Sequence, residues 1–137
     1  MSDRIALTFV LMDPPYEDAR STTALRLIAT ALAQGCDVNV FAYEGAVCLA
    51  QTNQRLHANP VHQRTAEEEQ HPLPFLWIEA LALDATDRGL RLDWVNCGLC
   101  VDERGADAPL AGTRRGSPAD LLKMADASRN VLVIPTK

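Results

Sequence analysis

Two cysteines three positions apart, in Cys97-Gly98-Leu99-Cys100, are the residues of this chain best suited to chemistry. A C-x-x-C pair supports three kinds of reaction. It can cycle between dithiol and disulfide. It can supply half of a tetrahedral zinc site. Its first thiolate can also act as a nucleophile that accepts a sulfur atom and passes it on. Spacing alone leaves the three open, and the surroundings weigh against zinc. There is no second C-x-x-C, Cys36 and Cys48 stand at the wrong spacing, and His57, His62 and His71 match no standard ligand pattern. No metal and no cofactor are expected. A strand before Cys97 and a helical turn after it would aim amide N–H groups at the sulfur, which favours a thiolate. Arg104 adds positive charge close by, while Asp102 and Glu103 oppose it. The expectation is a reactive thiol at Cys97. Cys36 and Cys48 lie inside apolar patterns and read as small buried hydrophobes.

The elements that must position this pair alternate in type. Ile5 to Met12 is a near-continuous apolar run, suited to a strand buried on both faces. It ends at Asp13-Pro14-Pro15-Tyr16, where two prolines stop regular pairing. Ser21 to Ala33 has helical spacing, with Leu25, Ile28, Ala29 and Leu32 on one stripe and Gly35 as the stop. Asp37 to Tyr43 reads as a second strand, so the three form a right-handed βαβ unit. A short helix is expected from Gly45 to about Gln51, and a longer one from Phe75 to Gly89 built on Leu76, Glu79, Ala80 and Leu83. Arg91 to Asn96 is a third strand that delivers the chain to Cys97. Ser117 and Pro118 open a last helix as N-cap and first helical residue, and Asn130 to Pro135 is the closing strand.

This alternation implies one α/β/α sandwich domain over residues 1–137 around a mostly parallel sheet. Residues 53 to 73 break the pattern. They hold all three histidines, Pro60, Pro72 and the acidic run Glu67-Glu68-Glu69, with Pro74 just beyond, and read as an exposed loop with one short helical turn. In open parallel sheets reactive groups collect at the carboxyl ends of strands. If the first and third strands were neighbours, Tyr16 would face the cysteines and line their pocket.

Composition removes several function classes. A net charge of -5 disfavours a nucleic-acid surface, and no apolar stretch approaches the roughly 20 residues needed to cross a bilayer. The opening residues show no signal-peptide pattern, so a cytoplasmic location is expected, where thiols stay reduced. Four cysteines are then more naturally buried, catalytic or metal-bound than paired in structural disulfides.

Cys97-Gly98-Leu99-Cys100-Val101-Asp102-Glu103-Arg104-Gly105 resembles the C-x-x-C-x-D-x-R-G segment of YchN-like proteins in the DsrE/DsrF-like group of sulfur-relay proteins. Pro15-Tyr16 with Ser21 and Ala24 to Ala29, Phe41 through Val47, Arg115-Gly116-Ser117 with Asp120-Leu121, and Ala127 to Ile134 resemble further parts of that pattern. The resemblance spans nearly the whole chain and lapses at about residues 53 to 73, which look like a loop insertion. It implies a DsrE-like sandwich with about five strands, assembled as a homotrimer or homohexamer. It also implies a carrier, sulfurtransferase-like rather than a turnover enzyme, that holds sulfur as a persulfide between donor and acceptor proteins. Cys97, eight residues before Gly105, takes the carrier position and Cys100 a supporting one. Arg104, Asp102 and Tyr16 become candidates for lining the pocket or stabilising the thiolate. Two other readings stay open: a thiol-disulfide redox protein using both cysteines, and a non-catalytic oligomeric binding module.

Overall fold

The computed structural model describes residues 4–69 and 73–136. Its centre is a five-stranded sheet in the order β4-β3-β2-β1-β5, with every pair parallel. β1 (Ala6–Leu11) and β2 (Asp37–Ala42) are the apolar runs seen in the sequence, and all six residues of β2 are buried. Parallel strands need crossovers, and here helices supply them. α1 (Arg20–Ala33) joins β1 to β2 and buries Ala24, Leu25, Ile28 and Leu32. A 3-10 turn over Glu44–Cys48 follows β2. It is tighter and shorter than the helix expected to about Gln51.

The segment after it is exposed, as its composition suggested. It contains a 3-10 turn at Pro60–His62 and the single-turn α2 (Ala66–Glu69). His57 and His62 are exposed, and His71 lies outside the described residues.

α3 (Pro74–Asp87) then covers the same face as α1. Its extent matches expectation. Ile78, Leu81 and Ala85 point into the core, while Leu76 and Leu83 are exposed. The sequence holds apolar residues on more than one face of this helix, so spacing alone does not choose the buried one.

β3 (Leu92–Cys97) runs one residue further than expected and takes in Cys97 itself. α4 (Gly98–Arg104) starts at once. β4 (Arg114–Gly116) was not anticipated. It is a three-residue, arginine-bearing edge strand with no apolar alternation to announce it. α5 (Pro118–Asp126) opens with a reciprocal capping box between Ser117 and Asp120, and β5 (Asn130–Ile134) returns to the far edge beside β1.

Two cores result. Phe9, Leu11, Val38, Val40 and Trp94 pack with α1 and α3 on one face. Phe41, Val95, Cys97, Cys100 and Met124 of α5 form a smaller core on the other. Each large aliphatic or aromatic side chain so buried stabilises the fold by about 1.5–3 kcal/mol. The three-layer reading from the sequence therefore holds. Among the described residues, no helix is long and apolar enough to cross a membrane.

Candidate functional site

Alternation along β3 decides where Cys97 points. Trp94 belongs to the α1/α3 core, so Val95 and Cys97 face α5. Cys97 is also the N-cap residue of α4, and Cys100 follows one turn later on the same side. The two thiols belong to one buried cluster and interact with each other. Cys100 Sγ also accepts the backbone N–H of Glu44 at 3.1 Å. Burial pushes the Cys100 thiol above its ordinary value; the Glu44 N–H draws it partly back, and Cys97 adds to the rise. Cys100 is thus a protonated neighbour at neutral pH. Tyr43, packed against the same core, has its hydroxyl raised by burial and then by Glu44 and Cys100.

Both sulfurs are covered. Cys97 is 6% exposed and Cys100 8%. The open thiol that the relay chemistry calls for is therefore not what the folded chain presents.

The cation beside Cys97 also differs from expectation. Arg104 turns away, bridging Glu44 Oε2 at 3.1 Å and donating to the Cys100 carbonyl at 3.4 Å. Arg115 takes the place instead. Parallel pairing sets Cys97 against Gly116 and Asn96 against Arg115. A Cβ added at Gly98 would fall 2.5 Å from Arg115 Nε, so the guanidinium lies on the bare backbone next to Cys97. Asp102 anchors it from the other side with two hydrogen bonds, 2.8 and 2.7 Å. Arg115 holds the Asp102 carboxyl below its usual range. Asp102 raises Arg115 in return, and a charge on Cys97 acts in the same direction. Asp102 is thus a tether for the cation rather than a direct partner of the thiol. Sequence reasoning met Arg115-Gly116-Ser117 without giving Arg115 a role, because 18 positions separate it from Cys97 and only strand pairing joins them.

Tyr16 is not at this site. β2 lies between β1 and β3, so the two loops do not face each other. Tyr16 lines a different cavity, about 410 Å³, with His57, Trp77, Leu25 and Pro74, and its ring meets His57 edge-on at 5.4 Å.

The remaining cysteines divide between the two cores. Cys36 packs half-buried against the α1/α3 core. Cys48, also half-buried, packs against the core that holds Cys97 and Cys100. It further lines a cavity of about 390 Å³ with Met12, Pro14, Glu44 and Arg104.

Comparison with known proteins agrees with this architecture. The chain is 27% identical over 127 residues to the uncharacterized protein MJ0989 of Methanocaldococcus jannaschii, covering 91% of this chain and 96% of that one. Its fold is similar to that of the ychN protein from E. coli, with a TM-score of 0.72 at 18% identity, covering 94% and 98% of the two chains. It is also similar to MTH1491 of Methanobacterium thermoautotrophicum, a protein of unknown function, with a TM-score of 0.60 at 12% identity, covering 93% and 98%. These structural likenesses speak to the fold. The family model for the DsrE/DsrF-like family matches residues 6–134, and the chain belongs to that family.

Proposed function

We propose that this protein carries sulfur as a persulfide on Cys97 and hands it to an acceptor thiol. The observation that supports this best is the trio of Cys97 at the end of β3, Cys100 in the same buried cluster, and the Arg115 guanidinium laid against Gly98. In the loading step the Cys97 thiolate attacks the outer sulfur of a donor persulfide, R–S–SH. Cys97–S–SH forms and R–S⁻ leaves. In the unloading step an acceptor thiolate attacks that outer sulfur and the Cys97 thiolate is released. Neither step needs an oxidant. Arg115 offers positive charge to the anion in both, and Cys100 can donate its proton to the sulfur beside it.

The cover over Cys97 makes access part of the mechanism. Arg115 and Asp102 each have side chains 58% exposed. Solvent screens such pairs, so they are weak and easily exchanged for another anion. Arrival of a persulfide or a docking partner would therefore move Arg115 from Asp102 to the incoming sulfur.

The homotrimeric or homohexameric assembly and the donor and acceptor proteins belong to the same reading. Light scattering on the purified protein measures the assembly.

The test is mass spectrometry after incubation with inorganic polysulfide. One added sulfur atom is expected on the Cys97 peptide, and transfer to an acceptor thiol is expected to vanish in Cys97→Ser. Absence of added sulfur on every cysteine overturns the reading.

The placing of both thiols in one buried cluster, one helical turn apart, favours one alternative, a reversible Cys97–Cys100 disulfide formed by exchange with another disulfide. A reduction potential of about -220 to -320 mV, near cytosolic poise, would support it.

A further inference from the structure

The carrier thiol is sealed, yet a third thiol of the same core is not. Cys48 packs against the cluster formed by Cys97, Cys100, Phe41, Val47, Val95 and Met124. It also lines a solvent-facing cavity of about 390 Å³, inside the 300–1,000 Å³ range of small-molecule sites. One residue links the cavity to the cysteine pair. Glu44 lines the cavity, and its backbone N–H donates to Cys100 Sγ at 3.1 Å. Arg104, which sequence reasoning set beside Cys97, brings its guanidinium here, held by Glu44 at 3.1 Å and by Glu103 at 3.5 Å. Cavity, cation and thiol therefore meet at one place, one layer outside the buried pair.

We infer that this cavity admits low-molecular-weight anionic persulfides and that Cys48 is the first acceptor of their sulfur. The inference rests on the persulfide-carrier reading above and specifies how sulfur reaches a covered site. An incoming R–S–SH exchanges with Glu44 for the Arg104 guanidinium. The Cys48 thiolate attacks its outer sulfur, forming Cys48–S–SH and releasing R–S⁻ to solvent. A thiolate of the Cys97–Cys100 pair then attacks the outer sulfur of Cys48–S–SH, which restores the Cys48 thiolate and leaves the persulfide on the pair. The sulfane sulfur keeps its oxidation state throughout, so no further reactant enters. Met12, Pro14 and Gly45 complete the wall.

The experiment uses the full chain and glutathione persulfide as donor, with persulfides read at each cysteine by mass spectrometry over time. In Cys48→Ser and Cys48→Ala, sulfur is expected on Cys97 about tenfold more slowly than in the wild type. In the Cys97→Ser, Cys100→Ser double variant, sulfur is expected to accumulate on Cys48. Cys36→Ser, altered in the other core, serves as the control and is expected to load at the wild-type rate. Thermal melts of both Cys48 variants check that the fold persists. If they load Cys97 as fast as the wild type, or if the double variant leaves Cys48 unmodified, the inference is overturned while the carrier reading stands. If the wild type takes up sulfur on no cysteine, the carrier reading itself is lost.

Discussion

Two of the loops at the carboxyl ends of this sheet are built on opposite plans. The loop after β1 is open. Its Tyr16 is largely exposed, adopts a positive φ of 75° and edges a solvent-facing cavity with His57 and Trp77. The turn after β3 is closed. Its thiols lie inside a small core, and the charges that serve them, Arg115 and Asp102, stand outside. The open cavity at Tyr16 is thus separate from the Cys97–Cys100 pair, and that pair itself has almost no surface. Burial limits the access of oxidants to these two thiols. Under the proposed carrier role, the same burial makes delivery of the substrate the step that the surrounding side chains must manage.

The sharpest way to break this contrast is to disable one loop and watch the other. Cys97→Ser is expected to abolish sulfur transfer to an acceptor thiol, and Tyr16→Ala to leave it unchanged. Loss of transfer in Tyr16→Ala would join the two regions and undo the separation drawn from the strand order.

The next largest effect concerns how each loop is packed. A Cβ at Gly45 would meet the Pro14 ring at 2.7 Å, and one at Gly98 the Arg115 guanidinium at 2.5 Å. A proline ring cannot yield, whereas an arginine head can. Gly45→Ala should therefore cost about 1–3 kcal/mol in urea unfolding, and Gly98→Ala less than about 1 kcal/mol.

A smaller effect is expected from cutting the tether alone. Asp102→Asn keeps the cation but removes its anchor, so alkylation of Cys97 by iodoacetamide should speed up by about threefold. An unchanged rate would mean that the Arg115–Asp102 pair does not control access.

The smallest effect lies at the open loop. Burial raises the Asp13 carboxyl above its ordinary 3.8, Asp18 adds to the rise, and Arg20 partly offsets it. With the folded value raised, the stability this group contributes is complete below pH 3.8 and is lost as pH climbs through the folded value. Asp13→Asn should therefore raise the urea midpoint at pH 7, with the gain shrinking toward pH 3.8.

Much of this molecule could be read from its residues in order. The apolar runs of β1, β2 and β5 and the stripe of α1 follow from period alone. The Ser117–Asp120 capping box and the Cys97–Cys100 pair each sit within four residues of chain. The motifs that resemble the DsrE/DsrF-like pattern are local in the same sense, and the family match over residues 6–134 agrees with them.

What local order could not decide is which segments become neighbours. Strand order is a choice among crossovers tens of residues long, and it removed Tyr16 from the site and brought Arg115 into it. The buried face of α3 was settled by what lay beneath the helix rather than by its own apolar positions. Burial of Cys97 depends on Met124 of α5 and Phe41 of β2 arriving from distant parts of the chain. The sequence by itself determined the chemistry on offer, a pair of thiols at a strand end. Tertiary packing alone decided which cation faces them and how far they stand from solvent, because both depend on contacts between residues that the chain holds far apart.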